Sequence, residues 1–375
     1  MRVLYFTRDY SPHDERFLTA LGLTGHEVFF LRLEPGQAVN PPEGINEISF
    51  PAEVTDSPLI AAGRATALSH ILDSLHPDIV HAGPLHGPAY IAALTSFPRL
   101  VSMSWGADIL HDGEVNPDSR KKIQHALDHS VVFVCDCLAV AEKAIGEYNF
   151  PAERIFRFPW GVDLEQFTPQ GGANLRELLS WQNRFVFLSN RSFEPIYGVD
   201  VTLRAFILAA QHELDIRLLL FGKGSQEQIL HRMVNEAGVA DKVHFGGYVD
   251  RDGLTDSYRS ADVFLSASHC DGSSVSLLEA LACGVPALVS DIPGNLEWVR
   301  DGEQGWVFRD GNVEQMATLM RSARREFALA EYGARARALA EEKADWRQNF
   351  PILLDAYEKA LQIGTRQSPS QAGGR

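Results

Sequence analysis

The sequence predicts an α/β protein built from two tandem Rossmann-like domains facing across a cleft. Three observations lead there. Short runs rich in Val, Ile, Leu and Phe recur, each followed by a longer stretch of helical spacing, which is the alternation of βαβ units around parallel sheets. The series stops at a turn-rich stretch and starts again. The chain has 375 residues, 45% of them apolar, which is enough for two ordinary cores.

Taken in order, the first half offers strands at RVLYFT (2–7), HEVFFLRL (26–33), DIVHA (78–82), RLVSMSW (99–105), VVFVC (131–135) and RIFRFP (154–159). The stretch PWGVDLEQFTPQGGAN (159–174), with two Pro and three Gly, reads as an interdomain linker and puts the boundary near residue 170. Strands resume at RFVFLSN (184–190), IRLLLFG (216–222), KVHFGGY (242–248), DVFLSAS (262–268), PALVSD (286–291) and GWVF (305–308). The second domain is expected over 171–345. A last helical pattern follows a break near 344–346, and over 346–362 it is expected to pack back on the first domain. Residues 363–375, small and polar, are expected to be a disordered tail.

Composition excludes several functions. Lys and Arg number 34 against 49 Asp and Glu, for a net charge of −15, the wrong sign for a protein working on nucleic acid. Residues 1–170 carry −10 of that charge, and their only basic cluster is Arg120, Lys121 and Lys122, so at most weak peripheral membrane association is expected. Four scattered cysteines make neither a disulfide framework nor a four-ligand zinc site, and with no apolar run of membrane length the expectation is a cytoplasmic protein.

The most informative stretch is HCDGSSVSLLEALACGVPALVSDIPGNLEWVRDGEQGWVF (269–308). Asp271 precedes Gly272 and two serines, and Glu279 lies eight positions further on. With a helix starting near Ser273, Asp271 sits in the loop before it, the N–H groups of Ser274 and Val275 point out of the first turn, and Glu279 lies about two turns along. A helix N-terminus attracts anions. A diphosphate can rest there while one carboxylate meets a sugar and the other accepts hydrogen bonds from ribose hydroxyls.

This stretch resembles the signature of the family 4 retaining glycosyltransferases, which have the two-domain GT-B fold. The resemblance extends over RFVFLSNRSFEPIYGVD (184–200), LLLFGKGS (218–225), VHFGGYV (243–249), YRSADVFLSAS (258–268), PWGVDLEQF (159–167), GHEV (25–28) and SWGADI (104–109). It implies a C-terminal domain that binds a nucleoside-diphosphate sugar, UDP- or GDP-linked, and an N-terminal domain that binds a hydroxyl acceptor. Arg191 pairs with the donor diphosphate, Asp271 stands for the first signature Glu beside the sugar, and Glu279 holds the ribose. The backbone around Tyr248 and Val249 receives the base. On the acceptor or sugar side the matching loops supply His13 and Asp14, in the DYSPHD segment (9–14), and Trp105, Gly106 and Asp108.

The chain departs from the family pattern in places. Tyr197-Gly198 stands where the family has a Lys-Gly pair at the phosphate, and Lys223 in the Gly222-Lys223-Gly224 loop is the candidate substitute cation. The first acid is shorter by a methylene, and Ser273 and Ser274 replace a frequent Phe-Gly.

Other motifs give way to plainer readings. Asp250-Arg251-Asp252 looks like a metal-binding Asp-x-Asp, but its place before a helical pattern makes the acids cap and dipole partners. His125 and His129 share a helix face without the Glu of a zinc protease, and Gly222-x-Gly224 lacks the third Gly of a dinucleotide fingerprint. No metal or cofactor is expected. The reading is a metal-independent retaining glycosyltransferase; the alternatives are a nucleotide-sugar 2-epimerase and an inactive nucleotide-sugar-binding protein of the same fold.

Overall fold

The computed structural model describes the chain except residues 35, 37, 39, 51–59, 173–174, 250 and 368–375. It comprises two compact units, Met1–Phe158 together with the chain from Phe350 onward, and Pro159–Asn349. The division falls at Pro159, ahead of the boundary expected near residue 170. The stretch read as a linker packs into the second unit: Phe167 is buried there, and Val162 N–H donates to the Ala344 carbonyl at 2.7 Å.

The first unit is a seven-stranded parallel sheet of β1 (Arg2–Thr7), β2 (Glu27–Arg32), β3 (Ile45–Ile48), β4 (Ile79–Ala82), β5 (Leu100–Met103), β6 (Val132–Cys135) and β7 (Ile155–Arg157). Its spatial order is β3-β2-β1-β4-β5-β6-β7, so the winding reverses between β1 and β4. Helices on both faces bury the strands, which is why β1 and β4 are mostly apolar, with His81 the buried polar exception in β4. The strand β3 is absent from the sequence reading. It is a partly exposed edge strand, INEI, whose Asn46 and Glu47 face outward, and it carries no apolar run to recognise.

The chain returns to this sheet through the helix Pro351–Gln367. Leu353, Ala356, Tyr357 and Ala360 recur at helical spacing and are fully buried. The helix continues through 363–367, part of the stretch expected to be disordered. At Gly364 a Cβ would stand 2.4 Å from Arg99 Cγ, so the helix backbone there lies directly on that side chain. Residues 368–375 of the expected tail lie outside the described residues.

Tyr357 Oη meets His81 Nδ1 at 2.7 Å, and His81 Nε2 has no hydrogen-bond partner among the described residues. Burial holds the His81 imidazole neutral, its pKa pushed down to about 3. The unfolded chain therefore binds a proton at this site between about pH 6.5 and 3 that the native chain does not. The stabilisation from a neutral His81 is complete above the unfolded pKa and is lost as pH falls below it, at up to about 1.4 kcal/mol per pH unit. Urea unfolding at pH 7, 6 and 5 should show this slope, flattened in His81→Gln; equal slopes in both proteins would refute the assignment.

The second unit holds β8 (Phe185–Asn190), β9 (Ile216–Phe221), β10 (Val243–Gly247), β11 (Val263–Ser266), β12 (Ala287–Ser290) and β13 (Gly305–Phe308). All pair in parallel, in the order β10-β9-β8-β11-β12-β13, and the winding reverses between β8 and β11. Along β9, Leu218 and Leu220 enter one core while Leu219 and Phe221 enter the other, so both faces are covered. The helix Val275–Ala282 is buried from Ser276 onward between the sheet and the helix Leu329–Lys343. Gly333 permits this: its Cβ would stand 2.3 Å from the Gly284 carbonyl oxygen. Arg337 donates to the Ala282 carbonyl at 2.6 Å and so places a cation at that helix's C-terminus.

Candidate active site

The second sheet's switch point lies at the carboxyl ends of β8 and β11, where ligands of such sheets bind. Arg191 is the first residue after β8, and Asp271 lies in the loop after β11. They meet there. Arg191 Nη2 forms an ion pair with Asp271 Oδ2, while Nη1 donates to Ser274 Oγ and, at 3.1 Å, to Ser276 Oγ. The guanidinium lies over the Tyr197 ring, 4.3 Å from its centroid. Burial pushes the Tyr197 hydroxyl pKa up, opposed by Arg191, so the ring stays neutral beneath the cation.

The helix begins at Val275, two residues after the start expected near Ser273, with Ser274 as N-cap. Ser274 makes no side-chain capping bond, because its hydroxyl receives Arg191 instead. The N–H groups of the first turn therefore remain available to an anion beside the guanidinium. Gly294 supports the loop from below: its Cβ would stand 2.3 Å from the Gly272 carbonyl oxygen, so the Asp271-Gly272 backbone rests on it.

Glu279 is nearly buried at 6% exposure, and Tyr258 Oη donates to its Oε2 at 2.8 Å. Asn190 Nδ2 donates to the same Tyr258 oxygen at 3.2 Å, which links Glu279 back to the residue before Arg191. Burial and the neighbouring Glu279 charge push the Tyr258 hydroxyl pKa well up, so it stays protonated and holds the carboxylate. Tyr258, Asn190, Ser276 and the stacking role of Tyr197 escape sequence reasoning. Only Ser276 left a trace, as the third hydroxyl of the DGSSVS run.

Lys223 and Tyr248 are not drawn into this cluster. Both side chains are exposed, Tyr248 at 76%. Their loops are tied by main chain: Phe193 N–H donates to the Lys223 carbonyl at 2.9 Å, and Gly222 N–H to the Gly247 carbonyl at 2.9 Å. Gly222, at φ 137°, lies so close to the Arg191 carbonyl that a Cβ would overlap it. Val249 is half-buried against the core beneath the sheet. Asp250 lies outside the described residues, so the Asp-x-Asp segment is not described as a unit. Among the described residues, no group of three or more His, Cys, Asp or Glu side chains could hold a metal ion.

In the first unit, two of the five residues read as sugar-side turn inward. Asp14 forms a capping box at the start of the helix Pro12–Gly22: its Oδ2 accepts from Ser11 N–H at 2.9 Å, and Ser11 Oγ accepts from Asp14 N–H at 3.3 Å. Tyr5 Oη donates to the other oxygen at 3.0 Å. Asp108 accepts from Leu85 N–H, Ser104 Oγ and Trp105 N–H at 2.8, 2.5 and 3.1 Å, and so shapes the loop after β5. Burial pushes both carboxyl pKa values up while these donors oppose the shift. Each carboxylate accepts three hydrogen bonds from its surroundings, Asp14 from Ser11 and Tyr5 and Asp108 from Leu85, Ser104 and Trp105. Gly106, at φ 88°, makes the turn in that loop, and His13 stacks on the half-buried Trp105 with ring centroids 5.3 Å apart.

The family description "Glycosyl transferases group 1" matches residues 173–335, and "Glycosyl transferase 4-like" matches residues 2–136. The chain belongs to the family 4 glycosyltransferases. Its fold is GT-B, the two parallel-sheet α/β units of that family.

Among relatives in this glycosyltransferase family, the D-inositol 3-phosphate glycosyltransferase of Paenarthrobacter aurescens is 25% identical over 68% of this chain and 64% of its own. The phosphatidyl-myo-inositol mannosyltransferase of Mycobacterium leprae is 30% identical over 48% of each chain. The match spans less than two thirds of the length of these relatives. Anabaena Alr3699/HepE, solved with UDP and glucose, superposes with a TM-score of 0.80 at 18% identity, over 96% of this chain and 99% of that one. WaaG, a glycosyltransferase involved in lipopolysaccharide biosynthesis, gives 0.72 at 17% identity, over 98% and 100%.

Among the described residues, no helix is long and apolar enough to cross a membrane.

Proposed function

We propose that the protein transfers a sugar, with retention, from a UDP- or GDP-linked donor to a hydroxyl acceptor. The observation that carries this reading is the meeting of Arg191, Asp271, Ser274 and the helix N-terminus at the second sheet's switch point, with Glu279 held by Tyr258 nearby. Family membership supports it, as do the names of the relatives, which are transferases acting on an inositol phosphate and a phosphatidylinositol. Anabaena Alr3699/HepE, solved with UDP and with UDP-glucose, supports a uridine donor for the shared fold.

In this reading the donor diphosphate takes the place of Asp271 on the Arg191 guanidinium and lies against the first-turn N–H groups. Asp271, released, accepts hydrogen bonds from the sugar, and Glu279 accepts from the ribose. The bond from sugar C1 to the leaving phosphate oxygen breaks as the acceptor oxygen bonds to C1 on the same face. The acceptor proton passes to the leaving phosphate oxygen. Negative charge growing on the diphosphate is met by Arg191 and the helix end, which are already oriented for it. The first unit holds the acceptor.

Incubation with UDP- and GDP-sugars and a panel of polyol, glycan and glycolipid acceptors tests the reading. A product carrying the donor's anomeric configuration is expected, and EDTA should leave its rate unchanged. An inverted product would remove the retaining mechanism, a donor converted to its 2-epimer would make the protein an epimerase, and no turnover of any donor would make it a binding protein.

A further inference from the structure

Arg8 holds in the first sheet the place that Arg191 holds in the second. Each is the first residue after the strand beside which the winding reverses, β1 in one unit and β8 in the other. Each meets a side chain from the loop after the neighbouring strand. For Arg191 that side chain is Asp271; for Arg8 it is His86, whose Nε2 lies 2.9 Å from Arg8 Nη2.

The difference in partner sets the charge. A guanidinium only donates, so His86 Nε2 accepts and its proton sits on Nδ1. Burial lowers the His86 pKa, and Arg8 lowers it further against the opposing Asp108 and Asp112 charges, so the ring is neutral. Arg8 is exposed and forms no ion pair among the described residues. The nearby acids are turned elsewhere: Asp9 to Arg32 at 3.5 Å, and Asp112 to His111 at 3.0 Å, with its second oxygen 3.7 Å from His86 Nε2. Residues 1–170 are strongly acidic, yet an uncompensated cation is held in place at the carboxyl ends of β1 and β4, where ligands of such sheets bind.

We propose that Arg8, oriented by His86, binds a phosphate group on the acceptor. The guanidinium fork matches a phosphate with paired charge-assisted bonds, and one N–H spent on His86 leaves the rest of the fork to the ligand. The phosphate belongs to a soluble ester or to a lipid headgroup. This inference rests on the transferase reading for the word acceptor, but the anion site does not depend on it.

Calorimetric titration of the full chain with inorganic phosphate tests the site, in an Arg191→Ala background so that the other cation is absent. Phosphate should bind, and adding Arg8→Gln should weaken it at least tenfold with an unchanged melting temperature. His86→Ala should weaken it severalfold, and His86→Gln, whose carbonyl oxygen can accept from Arg8, should restore it. Equal phosphate affinity with and without Arg8, or no binding at all, would overturn the proposal. Sedimentation with phosphatidylinositol vesicles, against phosphatidylcholine, separates the sources: pelleting that requires Arg8 assigns a headgroup, and phosphate binding without pelleting assigns a soluble ester. If no donor is turned over while phosphate binding still requires Arg8, the transferase reading falls and the site stands.

Discussion

Replacing Arg191 by alanine is expected to lower the transfer rate by about 10²–10³-fold, the usual cost of removing one preorganised donor from a developing negative charge. Three groups converge on this guanidinium, Asp271, Ser274 and Ser276, and Tyr197 supports its face. Lysine should recover only part of the rate, because a single ammonium cannot reach the diphosphate and the two serines in one plane. The alanine variant also leaves Asp271 without its cation in a mostly buried place, so a loss of roughly 1–3 kcal/mol in stability should accompany it. Asp271→Asn separates the effects: it keeps Arg191 in position, and in it the fall in rate should exceed any change in donor affinity. Unchanged turnover in Arg191→Ala, measured on protein shown to be folded, would remove this site from the mechanism.

Gly198→Ala is expected to cost about 3–5 kcal/mol and to lower the melting temperature of the chain by about 10 °C. Gly198 sits at φ 58°, and a Cβ there would lie 2.0 Å from the Ala267 carbonyl oxygen. That oxygen belongs to backbone just beyond β11 and has no rotamer through which to retreat. The same contact is zipped by His269 N–H donating to the Ile196 carbonyl at 2.9 Å. Since Tyr197 precedes Gly198, a shift here also withdraws the ring beneath Arg191, and activity should fall with stability. A melting curve that overlays the wild type would show that the backbone yields where its packing says it cannot.

That contact accounts for the glycine of the Tyr197-Gly198 pair. The glycine is demanded by backbone packing. The Tyr197 ring before it supports Arg191 by stacking.

The strands were legible because both faces of a parallel sheet are buried, so β8, β9 and β11 are dominated by apolar residues such as Val186, Phe187, Leu218, Leu220, Val263 and Phe264. The edge strand β3 was not, because Asn46 and Glu47 interrupt it. The signature helix and its carboxylates were legible from local spacing and from resemblance. The ion pair between Arg191 and Asp271 was not, since it joins residues 80 positions apart whose roles the sequence keeps separate. The inward placement of Asp14 and Asp108 was hidden for another reason. A carboxylate in a loop reads the same whether it faces a ligand or its own backbone, and only the converging N–H and O–H donors tell the two apart. Arg8 went unremarked because its meaning lies in sheet order, which no local pattern carries.

The bond between His81 and Tyr357 spans 276 positions, and the whole second unit lies between its ends. During synthesis, then, β4 to β7 emerge before the helix Pro351–Gln367 that packs on them exists. The apolar surface that Leu353, Ala356, Tyr357 and Ala360 cover is completed only after the entire middle unit has been made. The second unit is continuous and can finish first. A nascent chain arrested before Pro351 should therefore contain a protease-resistant middle and a protease-sensitive beginning, the reverse of the order in which the two were translated.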